Sequence, residues 1–235
     1  MKKKILIAVA LLLAVAVFAG AVVYFAQIRP EQVKRQQFQQ AMAAYRENKM
    51  QKYRQENEQY ADYEVDVAFL GDSLTDGYDV ARYYPQFVVS NRGIGGDTTF
   101  DLQARLQVSV YDLKPKVAVM LIGANNFNTM FENYEDILKG LQKNLPDTRI
   151  VLLSLTSMSQ QWGKNNALAA YNNVKIKKLA EVYGFSFVDL YSPLMDLKTG
   201  EIYPQYTTDG GHLTDEGYKV LTAQITPVLQ ALLVK

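Results

Sequence analysis

The sequence predicts a three-layer α/β domain, a parallel sheet with helices on both faces, carried behind an N-terminal transmembrane helix and a helical stalk. Three observations predict it. An uncharged apolar run follows a lysine cluster at the N-terminus; a segment rich in Gln, Lys, Arg and Glu comes next; beyond residue 62, short runs of Val, Ile, Leu and Phe alternate with longer segments of helical periodicity. Strands that are apolar throughout and alternate with helices indicate a sheet buried on both sides. A length of 235 residues suits one such domain with an appendage.

The elements follow in order. Lys2, Lys3 and Lys4 precede residues 5–28, which carry no charge. This stretch reaches the ~20 apolar residues that a bilayer-spanning helix needs. It is read as a retained anchor over residues 1–28; the alternative is a signal peptide cleaved at Ala19-Gly20-Ala21, giving a secreted protein. The positive-inside rule keeps the lysines cytoplasmic and the remaining chain outside the cytoplasm, although Arg29, Lys34 and Arg35 weaken the asymmetry. Residues 29–61 contain no Gly, and no Pro after Pro30, and are read as a polar helical stalk. Phe38, Met42, Tyr45, Lys49 and Tyr53 recur at helical spacing. Such a thin stripe suits packing on the following domain or self-association with a second copy, the alternative being a solvated spacer.

Residues 62–235 form the expected α/β domain. Strands are expected at 65–70, 87–90, 116–122, 149–155 and 185–190, and helices at 99–111, 133–144, 165–183 and 214–233. In such sheets ligands bind beyond the carboxyl ends of the strands, where strand order reverses, so the residues after each apolar run carry the functional information.

Composition narrows the chemistry. A net charge of +1 lacks the basic excess of a nucleic-acid binder, so no nucleic-acid partner is expected. The chain has no cysteine, which excludes disulfides, thiol nucleophiles and thiolate metal sites, and its single histidine excludes a His-rich zinc site.

The first strand runs into Gly71-Asp72-Ser73-Leu74-Thr75. A serine between a buried strand and a helix presents its hydroxyl to the crevice, where helix N-terminal N–H groups stabilise an anion; the same residues also make an ordinary helix cap. Thr75 stands where the Gly-x-Ser-x-Gly elbow requires glycine, so the segment is not that elbow. The second strand leads to Gly93-Ile94-Gly95-Gly96-Asp97-Thr98, which lacks the Gly-x-Gly-x-x-Gly of a dinucleotide loop and reads otherwise as a turn capped by Asp97 or Thr98. The third ends in Gly123-Ala124-Asn125-Asn126, whose amides suit an oxyanion or a cap. Near the C-terminus, Asp209-Gly210-Gly211-His212 sets the histidine three residues after an aspartate, a spacing at which the carboxylate reaches one ring nitrogen while the other faces a serine.

These four segments resemble, in order, the sequence blocks of the SGNH (GDSL-type) hydrolases, over residues 62–235. The resemblance implies a five-stranded parallel, flavodoxin-like sheet of order 2-1-3-4-5. It implies Ser73 as nucleophile, His212 as base and Asp209 as its orienting carboxylate, with Ser73, Gly96 and Asn125 donating to the oxyanion and no metal or cofactor required. Asn126 departs from the family's usual aspartate. The expected activity is that of an extracytoplasmic serine esterase acting on short acyl groups, with O-acetylated cell-wall or surface glycans as candidate substrates. Asn126, Phe127, Met130 and Trp162, on loops 126–132 and 157–166, are the candidate substrate walls, and plain surface loops are the alternative. Two rival functions stand beside this one. Lysophospholipase or thioesterase chemistry would need an apolar slot of Met130, Phe131 and Trp162; a surface-held binding module would need no intact catalytic set.

Overall fold

The computed structural model describes residues 2–233. Met1, at the start of the expected anchor, and Val234 and Lys235, at the end of the expected domain, lie outside the described residues. By its internal contacts the chain divides into a unit ending at Asn48 and a second beginning at Lys49.

The first unit is helical. Helix α1, Lys2–Val23, passes through a π-helical turn, Tyr24–Ile28, into α2, Arg29–Asn57. The apolar window in this stretch is long enough to cross a membrane, as an anchor or a signal sequence would be, and its described side chains, among them Leu11, Leu12 and Phe18, are exposed.

The second unit carries five parallel strands: β1 (Val67–Gly71), β2 (Val89–Gly93), β3 (Val117–Leu121), β4 (Arg149–Leu153) and β5 (Ser186–Val188), in the order β2-β1-β3-β4-β5. This is the order implied by the family resemblance. Val67 pairs with Val89 on one side and Val117 on the other, and Gly71 with Gly93 and Leu121, so the first three strands end level. Short helices α3 (Ser73–Asp76) and α4 (Val80–Tyr83) follow β1, and α5 (Thr99–Ala104) follows β2. Helix α6 (Tyr134–Asn144) lies between β3 and β4, and α7 (Gln160–Gly163) and α8 (Asn166–Tyr183) between β4 and β5. After β5 come α9 (Tyr191–Leu194), a small antiparallel pair of β6 (Met195–Asp196) and β7 (Glu201–Ile202), and the long α10 (Asp215–Leu233).

Alternation along the strands builds two cores. Leu70, Ala118, Met120 and Leu152 pack beneath Leu138 of α6 and Ile176 of α8, while Val67, Phe69, Val119, Leu121 and Val151 pack against Leu221 and Ile225 of α10. Both strand faces are therefore apolar, and burial of each set removes it from water at about 25 cal/mol per Å2.

Two expected elements differ. The second strand continues through Asn91, Arg92 and Gly93, because its polar side chains find partners beside the sheet: the Asn91 amide donates to the carbonyls of Thr75 (2.6 Å) and Tyr78 (2.8 Å), and Arg92 is fully buried. The helix expected at 99–111 is α-helical only to Ala104, and 107–111 is π-helical. At the break, Arg105 turns inward to the strand ends, where its guanidinium donates to the Gly71 carbonyl.

Candidate active site

The site stands beyond the ends of β1, β2 and β3, at the switch point of the sheet. Asp72 caps α3 by accepting the Leu74 N–H (3.1 Å), which turns the chain sharply after β1 and leaves Ser73 half-buried at the first helical position. An N–H at that position has no intrahelical acceptor. Asp72 itself is buried, its Oδ2 has no hydrogen-bond partner among the described residues, and burial pushes its carboxyl up to about 7.

The loop before α10 supplies the histidine. The Thr207 hydroxyl donates to the His212 carbonyl (2.7 Å) and accepts the Gly210 N–H (2.8 Å), and Gly210 lies in the left-handed region at φ 88° with its carbonyl accepting the Ser159 N–H (2.9 Å). This turn aims both aspartate oxygens. Asp209 Oδ1 accepts the backbone N–H groups of Gly211 (2.9 Å) and His212 (2.8 Å), and Oδ2 lies 2.8 Å from His212 Nδ1. The His212 backbone N–H, with the imidazole and the Gly211 N–H after it, holds the Asp209 carboxyl down at about 2. An ionised carboxylate only accepts, so Nδ1 bears the proton and Nε2, 3.0 Å from Ser73 Oγ, is left to accept a hydrogen bond from the Ser73 hydroxyl.

The turn after β2 is tied into the same place. Gly96 is exposed with φ 81°, and the carbonyl of Asp97 accepts the Asn125 amide at 2.9 Å, using one of its two hydrogens. Thr98, not Asp97, caps α5, in a capping box with Asp101. The Asp97 carboxylate is buried against Arg105 (2.6 Å), whose guanidinium also donates to the carbonyls of Arg92 and Gly71, both at 2.9 Å, and so holds the ends of β1 and β2 to the Gly96 turn. Asn126, in the family's aspartate position, bonds reciprocally with Thr99: its oxygen accepts the Thr99 N–H (3.2 Å) and its amide donates to Thr99 Oγ1 (2.9 Å). Thr99 Oγ1 in turn donates to Asn133 (2.6 Å), so an amide satisfies this network.

Ser73, Asn125 and His212 line one cavity of about 50 Å3, together with Leu74, Thr156, Met158 and Trp162 among others. Through Asn125 and Trp162 it adjoins an open groove of about 620 Å3 lined by Asn126, Phe127, Asn128, Gln161 and Asn165 among others. Of the four candidate wall residues, Asn126, Phe127 and Trp162 line the groove. Met130 does not: it is fully buried beneath Gly123, where its sulfur meets the Asn172 amide at 3.2 Å. Phe131 lies beside Tyr134 and Lys175, so the apolar slot expected for long acyl chains does not form. The sequence pattern did not single out Thr156 or Arg105, and Met158 entered only as part of loop 157–166; Thr156 follows β4 by three residues and was within reach of the strand-end rule.

The model of the GDSL-like Lipase/Acylhydrolase family matches residues 69–220. The chain belongs to that family. Among its relatives is the platelet-activating factor acetylhydrolase IB subunit alpha2 of Gallus gallus, 27% identical over 187 residues that span 73% of this chain and 79% of the relative. A Streptococcus pneumonia structure provisionally described as a platelet activating factor is 26% identical with a TM-score of 0.69, covering 84% of this chain and 99% of its own. A GDSL-like lipase from Bacteroides thetaiotaomicron is 25% identical with the same TM-score of 0.69, covering 78% and 98%. This member of the family is a carboxylic ester hydrolase.

Proposed function

We propose that the protein is a membrane-anchored serine esterase, facing outside the cytoplasm, that removes short acyl groups, acetyl above all, from hydroxyl-rich alcohols such as surface glycans. His212 Nε2 takes the Ser73 proton as Oγ attacks the ester carbonyl. The N–H groups of Ser73 and Gly96 and the free hydrogen of the Asn125 amide receive the oxyanion. Collapse of the tetrahedral intermediate returns the proton from His212 to the departing alcohol and leaves an acyl-Ser73. Water, deprotonated by His212, then releases the acid.

The observation that carries the reading is the hydrogen-bonded chain Ser73–His212–Asp209, at 3.0 and 2.8 Å, opening into a cavity of about 50 Å3. That small volume beside Ser73 suits an acetyl group better than a long alkyl chain. The groove beside it, about 620 Å3, has the size of a ligand site, and its amides and exposed indole suit sugar hydroxyls and a sugar face. The acetylhydrolase description of the Gallus gallus relative supports an acetyl substrate. Lys2, Lys3 and Lys4 support a cytoplasmic N-terminus and an external catalytic domain. A p-nitrophenyl ester series from acetyl to palmitoyl, with acetate release from O-acetylated polysaccharide, tests the proposal. The expected kcat/KM is highest for acetyl and falls with each added methylene; an optimum at octanoyl or longer overturns the short-acyl reading.

A further inference from the structure

We infer that the last turns of α2, through Lys49 and Tyr53, are a positioning element for the oxyanion turn, and that the Lys49–Asp76 ion pair is the contact that does it. The inference rests on Gly96 acting in the oxyanion site as proposed above. Asp76 closes α3, the helix opened by Ser73, and its two oxygens face different ways. Oδ1 pairs with the Lys49 ammonium, and Oδ2 accepts the N–H of Gly95, the residue before Gly96, at 3.2 Å. One carboxylate thus joins α2, the serine helix and the Gly95-Gly96 turn. Close packing makes the joint stiff: a Cβ on Gly93 would stand 2.2 Å from the Asp76 backbone nitrogen, so the end of β2 lies directly on the serine helix.

Tyr53 fixes the same corner from one turn further along α2. Its side chain is buried, and its hydroxyl donates to the Gly93 carbonyl at 2.7 Å. The Arg92 guanidinium sits over its ring at 4.9 Å and donates to the Tyr53 carbonyl (3.2 Å) and the Asn57 oxygen (2.9 Å), while Glu56 lies 3.4 Å away. The Asn57 amide donates onward to the Val108 carbonyl at 2.8 Å. Tyr53 and Arg92 hold the helix on the domain. Lys49 holds Oδ1 of the carboxylate whose Oδ2 accepts the Gly95 N–H, and loss of the ammonium loosens the hold of that carboxylate on the turn.

The test uses the full chain and steady-state kinetics on p-nitrophenyl acetate. Lys49 is partly exposed, so Lys49→Met does not endanger folding. It lowers kcat about 10-fold, the scale of one charge-assisted hydrogen bond, with KM within about twofold and Tm nearly unchanged. Lys49→Arg restores kcat, and Lys49→Met combined with Asp76→Asn is little worse than Asp76→Asn alone, because both act through the Gly95 N–H. Wild-type kcat in Lys49→Met, or losses in the pair that simply add, overturns the inference. Ser73→Ala separates the two levels: if it retains activity the proposed site is wrong, whereas its inactivity beside a fully active Lys49→Met refutes the positioning role alone.

Discussion

Asp209→Asn isolates orientation from structure. Asp209 Oδ1 accepts two backbone N–H groups, from Gly211 and His212, at 2.9 and 2.8 Å. In asparagine only the amide oxygen can take that position, since an NH2 there would face two donors. The NH2 is then turned toward His212 Nδ1, which must accept, and the ring proton moves to Nε2. That nitrogen now donates to Ser73 Oγ and cannot take its proton. The expected fall in kcat is about 10^4, the loss associated with the wrong tautomer in a Ser-His-Asp arrangement, or about 5 kcal/mol at 1.36 kcal/mol per decade. Folding should scarcely notice. The Asp209 side chain is 42% exposed, so solvent screens its charge and the stability change stays below about 1 kcal/mol. The assay is p-nitrophenyl acetate turnover alongside a thermal melt. Turnover within tenfold of wild type, at unchanged Tm, refutes the tautomer argument and removes Asp209 from the proposed triad.

Three further outcomes are expected. Ser73→Ala and His212→Ala each lower turnover by about 10^4 or more, and the double variant is little worse than either single one because the residues act as a unit; a multiplicative loss in the double variant contradicts this. Burial pushes the Asp72 carboxyl up to about 7 from an ordinary 3.8, so its protonated form is favoured by folding. Stability should therefore fall as pH rises from about 4 to 7 and level off above, by up to about 4 kcal/mol, and Asp72→Asn should flatten this part of the profile in urea titrations at pH 5 and pH 8; an unaltered profile removes Asp72 as its source. If residues 1–28 are retained as an anchor, the full chain stays in the membrane fraction through carbonate and high-salt washing, and a chain beginning at Glu31 is soluble and active; mature protein beginning at Val22 shows cleavage instead.

Apolar patterning alone placed the strands and the residues that follow them, while the strand order came through the family resemblance. Buried parallel strands must be apolar on both faces, so Val67, Val119 and Val151 announce themselves, and whatever follows each run is forced to the carboxyl edge. Ser73 and Asn125 were legible for that reason, His212 from its place three residues after Asp209 and Gly96 through the family resemblance, and strand ends were read to within about two residues except in β2. Polar residues with tertiary partners were not legible. Asn91 and Arg92 find their acceptors on the segment after β1 and on α2, and Arg105 finds Asp97 and the Gly71 carbonyl, all partners outside their own elements. Burial of Met130 and the small volume beside Ser73 likewise came from packing, since a loop methionine reads the same whether it faces a groove or the core beneath Gly123. Local pattern specifies backbone direction and burial on average; which buried polar group meets which partner, and how much space is left over, depends on elements distant in the chain arriving together.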